Sequence, residues 1–188
     1  MANSSCNNKM LGVVVRQDDQ FLLVRKPRSF LCGFLSSHIT WKPTEYNVYE
    51  YVERRLGIQP QKLRTIYRGK LDNHCRRKAK WHDWVVFQAS DCKGDMRPYS
   101  SESEILFWMS RAELKESMKR IAGIQESFNI QSSDLLKDII ITIGVRTMQE
   151  IADVAVGMLP LWYQILTHTD IFDNYGTSSE LKLYESPF

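Results

Sequence analysis

The chain has 188 residues, 43% of them hydrophobic and 25% charged, with a formal net charge of +3. That length suits one domain, or one domain with an extension, around a sizeable core, and so small a charge excess does not by itself imply a nucleic-acid partner. Four widely spaced cysteines (Cys6, Cys32, Cys75, Cys92) without a CxxC pair argue against a disulfide scaffold and fit a reducing, cytoplasmic setting.

The polar start MANSSCNNK has no signal-peptide core, and residues 1–9 are expected to be disordered. Met10 to Arg16 and Phe21 to Arg25 are β-rich runs joined by a polar turn, which predicts a hairpin. A loop rich in Ser and His follows, with Ser36, His38 and Lys42. It leads into a helix that Pro43 and Thr44 open, with Glu45 at the favourable end of the dipole. Val48, Tyr49, Val52 and Leu56 form its apolar stripe, and Gly57 closes it. Lys62 to Leu71 and Trp81 to Ala89 read as strands joined by a basic connection. Glu102 to Ser110 reads as a short strand with an acidic lead. A helix then runs from Arg111 to Lys119, with Ser110 and Glu113 spaced as a capping box.

A mostly polar connector, Gly123 to Ser133, separates this body from three amphipathic segments. These are Asp134 to Ile143, Thr147 to Gly157, and LPLWYQILTHTDIF from Leu159. No apolar run approaches membrane-spanning length, so no membrane partner is expected; the run Ile139 to Val145 is broken by Thr142 and Gly144.

The hairpin, the loop–helix ending Leu56-Gly57-Ile58, and the later strand–turn–strand–short-helix order together resemble the Nudix family over about Met10 to Lys119. The tail resembles the C-terminal helical extension of some bacterial Nudix proteins. The resemblance implies an α/β fold: a Nudix-like mixed β-sheet sandwich flanked by helices, with a helical C-terminal extension. The expected organisation is 1–9 disordered, 10–122 Nudix-like domain, 123–175 extension on that domain or on a dimer partner, and 176–188 tail.

The family's signature helix holds magnesium through carboxylates. Register fixed on Gly57 and Ile58 puts Ser36 at the leading glycine, Lys42 at the first glutamate and Arg54-Arg55 at the glutamate pair. Magnesium wants oxygen ligands in octahedral geometry, and these positions offer cations, so no metal and no other cofactor is expected here. Arg54 and Arg55 are matched to phosphate oxygens; the alternative is a solvated helix face with an ordinary Glu50–Arg54 pair.

Other candidates are weaker. Arg76, Arg77, Lys78 and Lys80 beside Trp81, His82 and Trp84 could meet a phosphate and a base, including RNA, or be a solvated loop with packed tryptophans. His74, Cys75, His82 and Cys92 lack zinc-ligand spacing. His38 could act as acid or base, or make a structural hydrogen bond. Glu102 and Glu104 would make a poor magnesium site alone. A hydrolase using shifted carboxylates would draw on Glu45, Glu50, Glu53 and Glu102.

The leading expectation is a catalytically degenerate Nudix-fold protein that binds a diphosphate-containing or nucleotide-like ligand, or a macromolecular partner, without metal-dependent hydrolysis. The rivals are a divergent enzyme on a phosphorylated or nucleotide-linked small molecule, and a structural or assembly subunit. A homodimer would use the C-terminal helices.

Overall fold

The computed structural model describes residues 6–25, 32–72, 79–97, 105–128 and 158–175. Its strands are β1 (Lys9–Gln17), β2 (Gln20–Arg25), β3 (Cys32–Gly33), β4 (Leu35–His38), β5 (Lys62–Asp72), β6 (Trp81–Ser90) and β7 (Ile105–Ser110). Its helices are α1 (Glu45–Leu56), α2 (Arg111–Phe128) and α3 (Leu159–Tyr175).

β1 is the hub. It runs antiparallel to β4 from Met10↔His38 to Val13↔Leu35, and parallel to β6 from Lys9↔Asp83 to Val15↔Ala89. β6 continues antiparallel into β5, with a bulge between Thr65 and Tyr67. At the far end of β1 the hairpin turns through Asp18, whose φ of 51° is left-handed. β2 then pairs with β7 along its length and with β3 at Val24 and Arg25. Among the described residues the result is mixed: one parallel pair within otherwise antiparallel sheets.

Strand alternation sends the side chains of β1 to two cores. Leu11, Val13 and Val15 pack with Leu35, Ile39, Phe87 and the buried stripe of α1. That stripe is Val48, Tyr51, Val52 and Leu56; Tyr51 takes the place expected of Tyr49, which is only half-buried. Burying aliphatic side chains of this size contributes roughly 1.5–3 kcal/mol each. On the other face Val14, Phe21, Phe34, Trp84 and Val86 pack with Leu114, Met118 and Ile121 of α2 and with Leu159, Leu161, Trp162, Ile165 and Leu166 of α3. Gly12 also lies on this face, where an added Cβ would come within 2.6 Å of the Phe34 ring.

The caps follow the sequence. Thr44 Oγ1 accepts from the Asn47 N–H at 3.4 Å, and Gly57, at φ 71°, donates its N–H to Glu53 O at 2.8 Å. Ser110 and Glu113 form the reciprocal capping box: the Ser110 N–H donates to Glu113 Oε2 at 2.8 Å, and the Glu113 N–H donates to Ser110 Oγ at 3.3 Å.

Three expectations are corrected. Residues 6–9, expected to be disordered, are tied to the body, because Asn7 Nδ2 donates to Ile39 O and the Asp83 N–H donates to Asn8 O at 2.7 Å. α2 runs on to Phe128 instead of stopping at Lys119, since Ile121, Ala122 and Ile124 continue its apolar face beyond the expected stop. The Ser- and His-rich loop contains two short strands, β3 and β4. The segments 134–143 and 147–157 lie outside the described residues. No helix among the described residues is long and apolar enough to cross a membrane.

Candidate functional site

Among the described residues, two surface clefts stand out. The smaller, about 580 Å³, runs along the outer side of α1 and is lined by Trp41, Asn47, Glu50, Tyr51, Glu53 and Arg54. Asn47, Glu50, Tyr51 and Arg54 share that side because they recur at three- and four-residue spacing. The Tyr46 hydroxyl donates to Glu50 at 2.8 Å, and Gln59 Nε2 donates to Glu53 at 2.6 Å.

This placement corrects the expected basic face. Arg54 lines the groove, but two carboxylates share it, and Arg55 and Lys42 are not among its walls. Arg55 is half-buried and Lys42 is exposed, its carbonyl capping the helix start through Asn47 Nδ2 at 3.1 Å. Ser36 sits on β4 opposite Gly12, away from the groove.

The larger cleft, about 920 Å³, opens where β1 and β6 end, where β5 begins and where the chain leaves α1. Its cations are Arg16, Lys62 and Arg64; Asp18 and Asp91 are its acids; Trp108 gives an aromatic wall and Gln88 and Ser90 give polar floor. Lys62 and Arg64 share a side of β5 by the two-residue strand period. Arg64 Nη2 donates to Gln88 Oε1 at 2.9 Å, which fixes the guanidinium in the half-buried wall. Lys62 Nζ pairs with Asp91 at 2.7 Å at the open rim. Burial pushes the Cys92 thiol up to about 11, and the Asp91 carboxylate beside it adds to the rise. Of these residues only Cys92 was weighed from the sequence, and as a zinc ligand; the visible signal was Lys62-Leu63-Arg64, two cations at strand spacing.

The remaining candidates divide. His38 and His82 meet, Nε2 to Nε2, at 3.3 Å, and Cys6 Sγ lies 3.3 Å from the same His82 nitrogen. Cys92 follows the opposite end of β6 from His82, so those two share no site. Trp84 is 1% exposed and belongs to the core, where its ring meets Phe34 edge-on; it is not a surface for stacking a base. Trp81 is half-buried with Lys70 Nζ 4.1 Å above its ring. Arg76, Arg77 and Glu102 lie outside the described residues.

No family profile matches the chain, and no curated protein sequence does. Solved structures do. A MutT NUDIX hydrolase from Burkholderia pseudomallei is 20% identical, with a TM-score of 0.48 over 57% of this chain and 85% of that one. An ADP compounds hydrolase is 16% identical, with a TM-score of 0.47 over 74% of this chain and 76% of that one. The NUDIX domain of Shewanella oneidensis NrtR, complexed with ADP ribose, is 14% identical, with a TM-score of 0.45 over 57% and 75%. The mixed sheet, with a loop–helix between β4 and β5 and helices on both faces, is an α/β fold, and these NUDIX structures are what it is similar to.

Proposed function

We propose that this protein binds a nucleotide-like or other diphosphate-containing small molecule in the larger cleft, without the magnesium-dependent hydrolysis of a standard Nudix enzyme. The observation that carries this reading is that Arg16, Lys62, Arg64 and Trp108 all line one cleft of about 920 Å³. That volume falls within the range of small-molecule sites. Guanidinium groups pair with phosphate oxygens, and an indole face accepts a base by stacking. Arg54 lines the smaller α1 groove, apart from these three cations.

ADP is a suitable probe. Its affinity, measured calorimetrically, should be unchanged by EDTA and should fall as salt is added, because the contacts are between charges. Arg64→Ala should weaken binding about 10- to 100-fold, the worth of a charged hydrogen bond. Lys62→Ala, at the exposed rim, should weaken it less. ADP binding that ignores both substitutions would end the assignment to this cleft.

A second reading rests on Glu50 and Glu53 sharing the α1 groove: hydrolysis through shifted carboxylates. Magnesium-dependent turnover of nucleoside diphosphate derivatives, lost on chelation and in Glu50→Gln or Glu53→Gln, would establish it in place of the first. A homodimer through the C-terminal helices would use the outward side of α3, where Tyr163 is 51% exposed, because Leu161, Trp162 and Ile165 are taken up by the protein's own core. An RNA partner would need Trp81 and Lys80, together with Arg76 and Arg77.

A further inference from the structure

A cluster outside both clefts has the donor set and spacing of a metal centre. β4 and β6 both pair with β1, so they lie about two strand spacings apart, roughly 9.6 Å. His38 and Trp84 both face Met10 in register, and His82 precedes Trp84 by two residues. Strand alternation therefore puts both histidines on one face of the sheet, straddling the start of β1. At that point Asn8 adopts φ 59° and bends the chain, and Cys6 returns to the gap. The Cys6, His38 and His82 ligand atoms all lie within 4.8 Å of one another.

The distances are informative. Zinc bonded to nitrogen at about 2.0–2.1 Å and to sulfur at about 2.3 Å, in a tetrahedron, implies nitrogen–nitrogen edges of about 3.3 Å and nitrogen–sulfur edges of about 3.5 Å. Two of the three edges match closely, 3.3 Å from His38 Nε2 to His82 Nε2 and 3.3 Å from Cys6 Sγ to His82 Nε2, and the Cys6–His38 edge lies within 4.8 Å. A plain hydrogen-bond chain fits less well. A ring nitrogen offers one in-plane position, as donor or as acceptor, whereas His82 Nε2 has two such neighbours at the same distance. A metal ion set between the three would use one lone pair from each. The Asn8 N–H also points at Cys6 Sγ, at 3.4 Å, in the manner of outer-shell donors that orient a ligating thiolate.

We propose that Cys6, His38 and His82 form a binding site for a borderline divalent transition-metal ion, zinc being the best match. A thiolate and two imidazoles select such an ion over magnesium or calcium, which want oxygen. Three protein ligands leave a fourth position for water or a small ligand, and Cys6 and His38 are only half-buried. His82 lies about six residues, or ~20 Å, along β6 from Gln88 on the wall of the larger cleft. The site therefore stands apart from the proposed ligand cleft.

The test titrates cobalt(II) into the reduced, tag-free full chain after chelator treatment. One equivalent should bind, with a near-ultraviolet thiolate-to-cobalt charge-transfer band and the intense visible spectrum of tetrahedral cobalt; zinc should displace it, and magnesium should not. Cys6→Ser should remove the charge-transfer band. His38→Ala should weaken binding by more than the roughly 10- to 100-fold that loss of an outer-shell partner costs. Both positions are half-buried, so these variants keep the test independent of the buried His82. A Cys6→Ser protein that titrates like the parent, a weak octahedral spectrum, or no stoichiometric uptake would each overturn the proposal.

Discussion

Cys92 stands on the wall of the larger cleft beside Asp91, half-buried, with its thiol held near 11. The thiolate is the nucleophile, and a free cysteine ionises near about 8.5. Cys92 should therefore alkylate far more slowly than a free thiol at neutral pH, its rate climbing about tenfold per pH unit until the pH nears the raised value. Peptide mapping after iodoacetamide treatment isolates this residue from the other cysteines. Asp91→Asn removes the carboxylate that disfavours the thiolate and should raise the rate at a fixed pH; free-thiol reactivity in the parent at neutral pH would show that burial does not protect it. Residue by residue, the sequence was a partial guide. His38 and His82 are recognisable as chemically able groups, but their meeting depends on both pairing around β1, and Cys6 joins them only through a bend at Asn8. Arg16 and Arg64 are 48 positions apart and become neighbours through the cleft alone. No local pattern encodes such long-range juxtapositions.

The elements with strong local signals were legible. α1 announces itself through Thr44, its four-residue stripe and Gly57, and the α2 start through Ser110 and Glu113. The short strands β3 and β4 were not, because two and four residues carry no readable alternation. The end of α2 was missed because Gly123 looks like a stop. In place it is exposed, with nothing within 4 Å of where a Cβ would lie, so it costs the helix only about 1 kcal/mol while Ile121 and Ile124 pack on either side. α3 depends on one residue above others. Trp162 is fully buried and meets Phe21 and Phe34 edge-on, with centroids 6.1 and 5.1 Å away. Trp162→Ala should cost about 3–5 kcal/mol in denaturant unfolding. A loss below about 1 kcal/mol would mean that α3 rests only lightly on the sheet.

Across the whole molecule the sheet divides two cores, and they differ in how far along the chain their parts come from. The core under α1 draws on Leu11 through Ala89. The other joins Val14, Phe21 and Phe34 to Leu114 of α2 and to Leu161, Trp162 and Ile165 of α3. Removing everything after Phe128 should therefore leave the α1 side formed and the opposite face covered by α2 alone, with the α3 contacts of Phe21 and Phe34 open, seen as binding of a hydrophobic dye and a lower melting temperature. A truncated chain that melts like the parent and binds no dye would show that α3 contributes nothing to the second core. During synthesis the same asymmetry sets an order of events. β1 waits for β6 to supply its parallel neighbour, and the aromatic face around Phe21 and Phe34 waits for a helix made about 130 residues later. Until Trp162 arrives, the nascent chain carries an open apolar surface of the kind that aggregates or recruits chaperones. Refolding from denaturant should accordingly be slow, with α1-side protection preceding burial of Trp162 in pulsed hydrogen exchange and tryptophan fluorescence.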